Sequence, residues 1–194
     1  MIDREYRTIR LKTCYWFLKF VFYKMNLQYK ELLPAHFSPS SRVWVYQASR
    51  LLTMSEALDA EERLNSFAEQ WQSHGADVKA AGFLFFGQFV ILMADETQAG
   101  VSGCSTDSSV RFIKSLEAAY GINLFDRTSL AFVIKDKVQL LPYAQLQYAL
   151  DNGFITPDTL YFNNLVANKE ELENKWIVPL KESWLKDRVK LLQA

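Results

Sequence analysis

The residues best suited to chemistry lie together between Asp95 and Val110. The stretch reads Asp95-Glu96-Thr97-Gln98-Ala99-Gly100-Val101-Ser102-Gly103-Cys104-Ser105-Thr106-Asp107-Ser108-Ser109-Val110. It joins an apolar run, Phe89 to Met93, to an amphipathic pattern, Val110 to Tyr120, and so reads as a strand-to-helix loop. Cys104 falls just ahead of that pattern, with Ser105, Thr106 or Asp107 as the N-cap. The partial positive charge of a helix N-terminus favours a thiolate, which makes Cys104 a candidate catalytic nucleophile. A nucleophile also needs a base, and His74 can act as one only if the fold brings it near.

Ser102, Gly103, Ser105 and Asp107 form a second candidate, a ligand-binding cradle. Gly100 and Gly103 allow successive amides to point the same way, the hydroxyls add donors, and Arg111 or Lys114 could add charge. A phosphate, a carboxylate or a phosphorylated partner suits such a loop. Asp95, Glu96 and Asp107 oppose an anion unless a metal intervenes. With Asp126 they could hold Mg²⁺, but no recognised ligand spacing is present, so neither a metal nor another cofactor is expected. The competing reading is local: serines and Asp107 cap the helix, and Cys104 is a small loop or core residue. Asn163 and Asn164 leave a short strand and can bond a ligand or lock a turn.

One motif is misleading. Gly82-Phe83-Leu84-Phe85-Phe86-Gly87-Gln88-Phe89 has the glycine spacing of a phosphate-binding loop. Gln88 stands where the lysine belongs, and Phe89 where the magnesium-binding hydroxyl belongs. ATP hydrolysis by that route is not expected.

The elements that must position these residues follow from periodicity and punctuation. Val43 to Gln47 reads as a strand, and Thr53 with Glu56 as a capping box. Ala60, Leu64, Phe67, Ala68 and Trp71 give the helix that follows its buried face, closed by His74-Gly75. Val78–Phe86 and Phe89–Asp95 read as a hairpin, with Gly87 first in a type II′ turn. Thr128–Lys135 and Val138–Leu141 read as a second hairpin around Asp136-Lys137. Pro142 opens a short helix, Thr159–Asn163 is a strand, and Asn168 with Glu171 caps a further helix. Leu180, Trp184, Leu185 and Leu192 line a C-terminal helix. The expected class is α+β, a mixed or antiparallel sheet with helices packed on it. Its first part has a ferredoxin-like βαββαβ order, and C-terminal helices follow.

Composition narrows the classes. Apolar residues make up 49% of 194, enough for a substantial core. Net charge is zero, but residues 1–30 hold seven Lys and Arg against two acidic residues. The remainder is therefore mildly acidic, and no nucleic-acid partner is expected. Two cysteines, Cys14 and Cys104, make no disulfide framework, which fits a cytoplasmic location. Cys14 to Tyr23 is apolar but short for a membrane span and interrupted by Lys19, so no transmembrane segment is expected. Residues 1–42 read as an N-terminal extension and linker, and 43–194 as one domain. Residues 1–24 can be an upstream extension of a chain starting at Met25, a packed extra helix or a basic helix lying on a membrane. Trp44, Trp71, Trp176 and Trp184 read as packing anchors, the last two also as a possible homo-oligomer surface.

Several segments together carry a resemblance. They are Val43-Trp44-Val45-Tyr46-Gln47, the Asp95 to Val110 loop, Phe112-Ile113-Lys114-Ser115-Leu116-Glu117, Phe125-Asp126-Arg127, Phe162-Asn163-Asn164-Leu165-Val166, and Pro179-Leu180-Lys181-Glu182-Ser183-Trp184. In these the chain resembles a family of small uncharacterised Bacteroidota proteins, often labelled "ABC transporter ATPase". The resemblance spans roughly residues 25–187, and family members typically begin near Met25. It implies no established activity and carries no catalytic residue, and the label conflicts with the missing phosphate-binding motif. The sequence therefore leads to a binding or interaction protein for an unknown small molecule or protein, centred on residues 95–107. The alternative is a thiol-dependent enzyme using Cys104.

Overall fold

Strand β5 (Phe89–Asp95) is buried along its whole length, and the fold is built around it. The structure is a computed structural model and describes residues 25–73, 75–97 and 100–190. In β5 successive side chains point to opposite faces, so an unbroken apolar run needs cover on both sides. It has β1 (Arg42–Gln47) on one edge and β4 (Lys79–Phe85) on the other, both antiparallel. A second antiparallel sheet has the order β7-β6-β8-β9, from β6 (Ser129–Ile134), β7 (Lys137–Pro142), β8 (Leu160–Phe162) and β9 (Ile177–Pro179). The two sheets face each other across the main core. Phe89, Ile91, Met93, Val43 and Val45 from one meet Ala131 and Phe162 from the other, with Trp176 between them. Each buried Phe or Ile contributes about 1.5–3 kcal/mol by leaving water.

Helices α1 (Met54–Gln70) and α2 (Gly103–Tyr120) cover the outer face of the first sheet, where Val90 and Leu92 meet Leu64, Ile113 and Leu116. Helix α3 (Leu146–Asp151) and two 3-10 segments, Leu180–Glu182 and Trp184–Arg188, cover the outer face of the second. Helix α4 (Lys169–Lys175) packs beside β1. The class is α+β, as the sequence leads one to expect. A small hairpin of β2 (Gln72–Ser73) and β3 (Ala76–Asp77) interrupts the βαββαβ order, and the strands divide between two sheets rather than forming one.

Several local expectations change. Helix α1 ends at Gln70, and Gly75 (φ 81°) sits in the β2–β3 turn rather than closing the helix. In the β4–β5 turn Phe86 (φ 55°) and Gly87 (φ 62°) are both left-handed, so Gly87 is second and the turn is of the I′ kind. The bulky Phe86 is held there by packing against Tyr29, Phe89, Phe162 and Trp176. The β6–β7 turn falls one residue early, with Lys135 and Asp136 left-handed. The expected C-terminal helix is instead β9 followed by the two 3-10 segments. Between Pro34 and Ser41 the chain is no loose linker: Leu33 and Phe37 are buried, and Tyr29 donates its hydroxyl to Leu172 O at 2.6 Å. The buried Lys169 Nζ clamps this lead-in by donating to Pro34 O (2.9 Å) and Phe37 O (3.1 Å).

Among the described residues no helix is long and apolar enough to cross a membrane. Residues 1–24, with Cys14 and the readings attached to that segment, lie outside the described residues.

Candidate functional site

Helix α2 starts earlier than its apolar periodicity implies. The N-cap is Ser102, whose Oγ accepts the Ser105 N–H at 3.3 Å, so Cys104, Ser105 and Asp107 lie within the first turns of the helix. The cap candidates Ser105, Thr106 and Asp107 are thus displaced by three residues or more. Small polar residues hide helical periodicity, because no apolar face marks the first two turns.

Most polar groups of the loop are used locally. Asp95 is buried, and its carboxylate accepts Lys79 Nζ (2.6 Å), Ser38 N–H (3.3 Å), and the N–H (3.2 Å) and hydroxyl (2.8 Å) of Thr97. Burial alone pushes its pKa up, but the hydrogen bonds from Lys79, Thr97 and Ser38 together hold it well below the usual carboxylate range. Glu96 Oε1 accepts the Val101 N–H at 2.8 Å and so places a carboxylate beside the start of α2. Ser105 Oγ donates to Gln72 O (3.1 Å), and Ser108 and Ser109 donate to carbonyls three residues back. Asp126 is an Asx-type turn, accepting from Thr128 and Ser129. Among the described residues no group of three His, Cys, Asp or Glu side chains converges to hold a metal ion.

What stays open is small and well defined. Cys104 is exposed. The Gly103 and Cys104 amides have no hydrogen-bond partner among the described residues. Gly103 and Asp107 are exposed, while Ser102 is half-buried and Ser105 is buried. The chain from Trp71 to Ser73 fixes this turn in place: Trp71 Nε1 donates to Ser105 O (3.0 Å), and Ser73 Oγ donates to Gly100 O (2.9 Å) while accepting Ser102 N–H (3.2 Å). No sequence pattern announces these contacts. His74, Gln98 and Ala99 lie outside the described residues.

Asn163 and Asn164 do not join this turn. Asn164 Nδ2 donates to Gln47 Oε1 (2.8 Å), and its Oδ1 accepts Trp176 Nε1 (3.1 Å). Gln47 Nε2 in turn donates to Ser129 O at 3.1 Å. The amide pair therefore ties the two sheets together, and Asn163 Oδ1 is buried without a partner among the described residues. Trp176 is fully buried and forms no surface, whereas Trp184 is 37% exposed. Gly82 to Phe89 forms β4 and its turn into β5, with no phosphate-cradling loop. No family model matches the chain, and neither a curated protein nor a solved structure does.

Proposed function

We propose that the chain is a cytoplasmic binding or interaction protein, related to the uncharacterised Bacteroidota family it resembles, and not a P-loop ATPase. Its ligand-facing element is the start of α2, reduced from the whole loop to Ser102, Gly103 and Cys104, with Asp107 one turn further on. The observation that carries this reading is the pair of amides at Gly103 and Cys104 without a hydrogen-bond partner among the described residues, heading an 18-residue helix beside an exposed thiol. A helix N-terminus favours an anion, while Asp107, one turn further along α2, weakens that preference.

Thermal-shift titration with inorganic phosphate against chloride, at constant ionic strength, tests it. A rise in Tm is expected, larger in Asp107→Asn; the absence of any rise at saturating phosphate removes the reading. The second reading, a thiol-dependent enzyme, is favoured by the exposure of Cys104. Alkylation of Cys104 against pH separates the two: a midpoint well below the free-thiol value of about 8.5 points to the enzyme.

A further inference from the structure

Among the described residues the outer edge of β4 has no pairing strand and lies beside the outer flank of α1, and we propose that this edge takes an extended, cationic and apolar segment of a partner protein as an additional strand. Among the described residues β4 pairs with β5 alone. Its side chains alternate between faces, yet five consecutive residues, Lys79 to Phe83, all keep partial exposure. The surface they share is the main-chain edge. Natural sheet edges are usually blunted by charges, proline or bulges. Here the only charge is Lys79, already committed to Asp95 and to His36 O.

Helix α1 supplies the wall. It runs antiparallel to β4: the Leu52 N–H donates to Gly87 O at its start, Leu64 meets Gly82 at its middle, and Val78 N–H donates to Trp71 O at its end. One row of α1 (Ala57, Ala60, Leu64, Ala68) is buried against the sheet. A second faces α2, where Phe67 stacks on Phe112 and Asp59 accepts the Tyr120 hydroxyl. The remaining row, Met54, Leu58, Glu61 and Asn65, has helical spacing and lies on the flank away from α2, beyond the β4 edge. Leu58 is 47% and Met54 40% exposed. Glu62 and Glu69 make this flank acidic, and among the described residues no Lys or Arg offsets them, because Arg63 is paired with Asp59 at 2.8 Å on the other side.

The dimensions select the occupant. A helix with side chains is about 10–12 Å wide, and the next strand position is only about 4.8 Å away. Helix α1 over β4 therefore overhangs that position. A bare extended segment fits beneath the overhang, but a second copy of β4 would bring its own α1 into collision. Main-chain bonds to β4 would supply affinity, and alternate side chains would meet Leu58 or the glutamates and supply selectivity.

The test uses the full chain and a capped heptapeptide of alternating valine and lysine, followed by NMR. Binding is expected with amide shifts at residues 79–83 and along the 54–65 flank, while a valine–glutamate peptide does not bind. A strand pairs through only one of its edges. One of the two alternately N-methylated forms of the peptide should therefore fail while the other binds. The double variant Glu62→Gln and Glu69→Gln should bind about tenfold more weakly. Absence of binding, equal binding of both N-methylated forms, or shifts confined to other surfaces overturns the proposal.

Discussion

Lys79 Nζ lies 2.6 Å from Asp95 Oδ2, the lysine one-third exposed and the carboxylate 1% exposed. The pair closes the open end of the β4–β5 hairpin, since Lys79 and Asp95 are register partners. It takes Asp95 out of contention as a ligand for a metal or substrate. Asp95→Ala removes the buried acceptor of the Lys79, Ser38 and Thr97 hydrogen bonds and is expected to cost about 2 kcal/mol in denaturant unfolding. The folded-state pKa of Asp95 is depressed, so its stabilisation is present above the unfolded value near 3.8 and is lost as pH falls through and below it. Asp95→Asn should lack most of that acid-induced loss.

Asn164 bridges Gln47 and Trp176 through its side-chain amide. Asn164→Ala strips the Trp176 indole of its acceptor and the Gln47 carbonyl of its donor in one step. A loss of about 2 kcal/mol is expected in chemical denaturation. Ligand responses at the α2 turn should be unchanged, which thermal-shift titration of the variant checks.

Gly82 permits the close approach of α1 to β4. A Cβ there would lie 3.0 Å from Leu64 Cβ and 3.1 Å from the Leu64 carbonyl oxygen. The obstructing atoms include backbone, so Gly82→Ala must displace the helix. An overpacking cost of about 1–3 kcal/mol is expected, read as a lower denaturation midpoint.

Glu61 gives the opposite pH signature to Asp95. It is half-buried on the α1 flank, and desolvation pushes its pKa from 4.5 up to about 7. The folded state therefore holds a proton that the unfolded chain releases between these values. Stability should fall as pH rises from 4.5 to 7, by the linkage between proton binding and folding. Glu61→Gln should flatten that part of the profile, which unfolding curves collected across the window measure.

Much of the local structure was legible because its determinants are local. Thr53 and Glu56 form the full capping box, Gly121 closes α2 in the left-handed region, and Asn168 accepts the Glu171 N–H. The apolar run Phe89 to Met93 was legible as a strand, but its burial on both faces and what supplies the cover came only with the fold. Where side chains are small and polar, as from Ser102 to Ser109, the pattern is silent, and the N-terminus of α2 was misplaced. The 3-10 segments after Leu180 carry apolar spacing that a helix would share, so periodicity could not separate them.

The sequence by itself determined the α+β class, the existence of most elements and the hairpin at Gly82 to Phe89, since each depends on residues near one another in the chain. Only the tertiary structure decided what Asp95, Asn164 and Ser105 do. Their partners Lys79, Gln47, Trp176 and Gln72 arrive from other elements. A polar side chain has the same donors and acceptors whether it binds a ligand or a neighbour, and which of the two it does depends on what the fold places within hydrogen-bond reach.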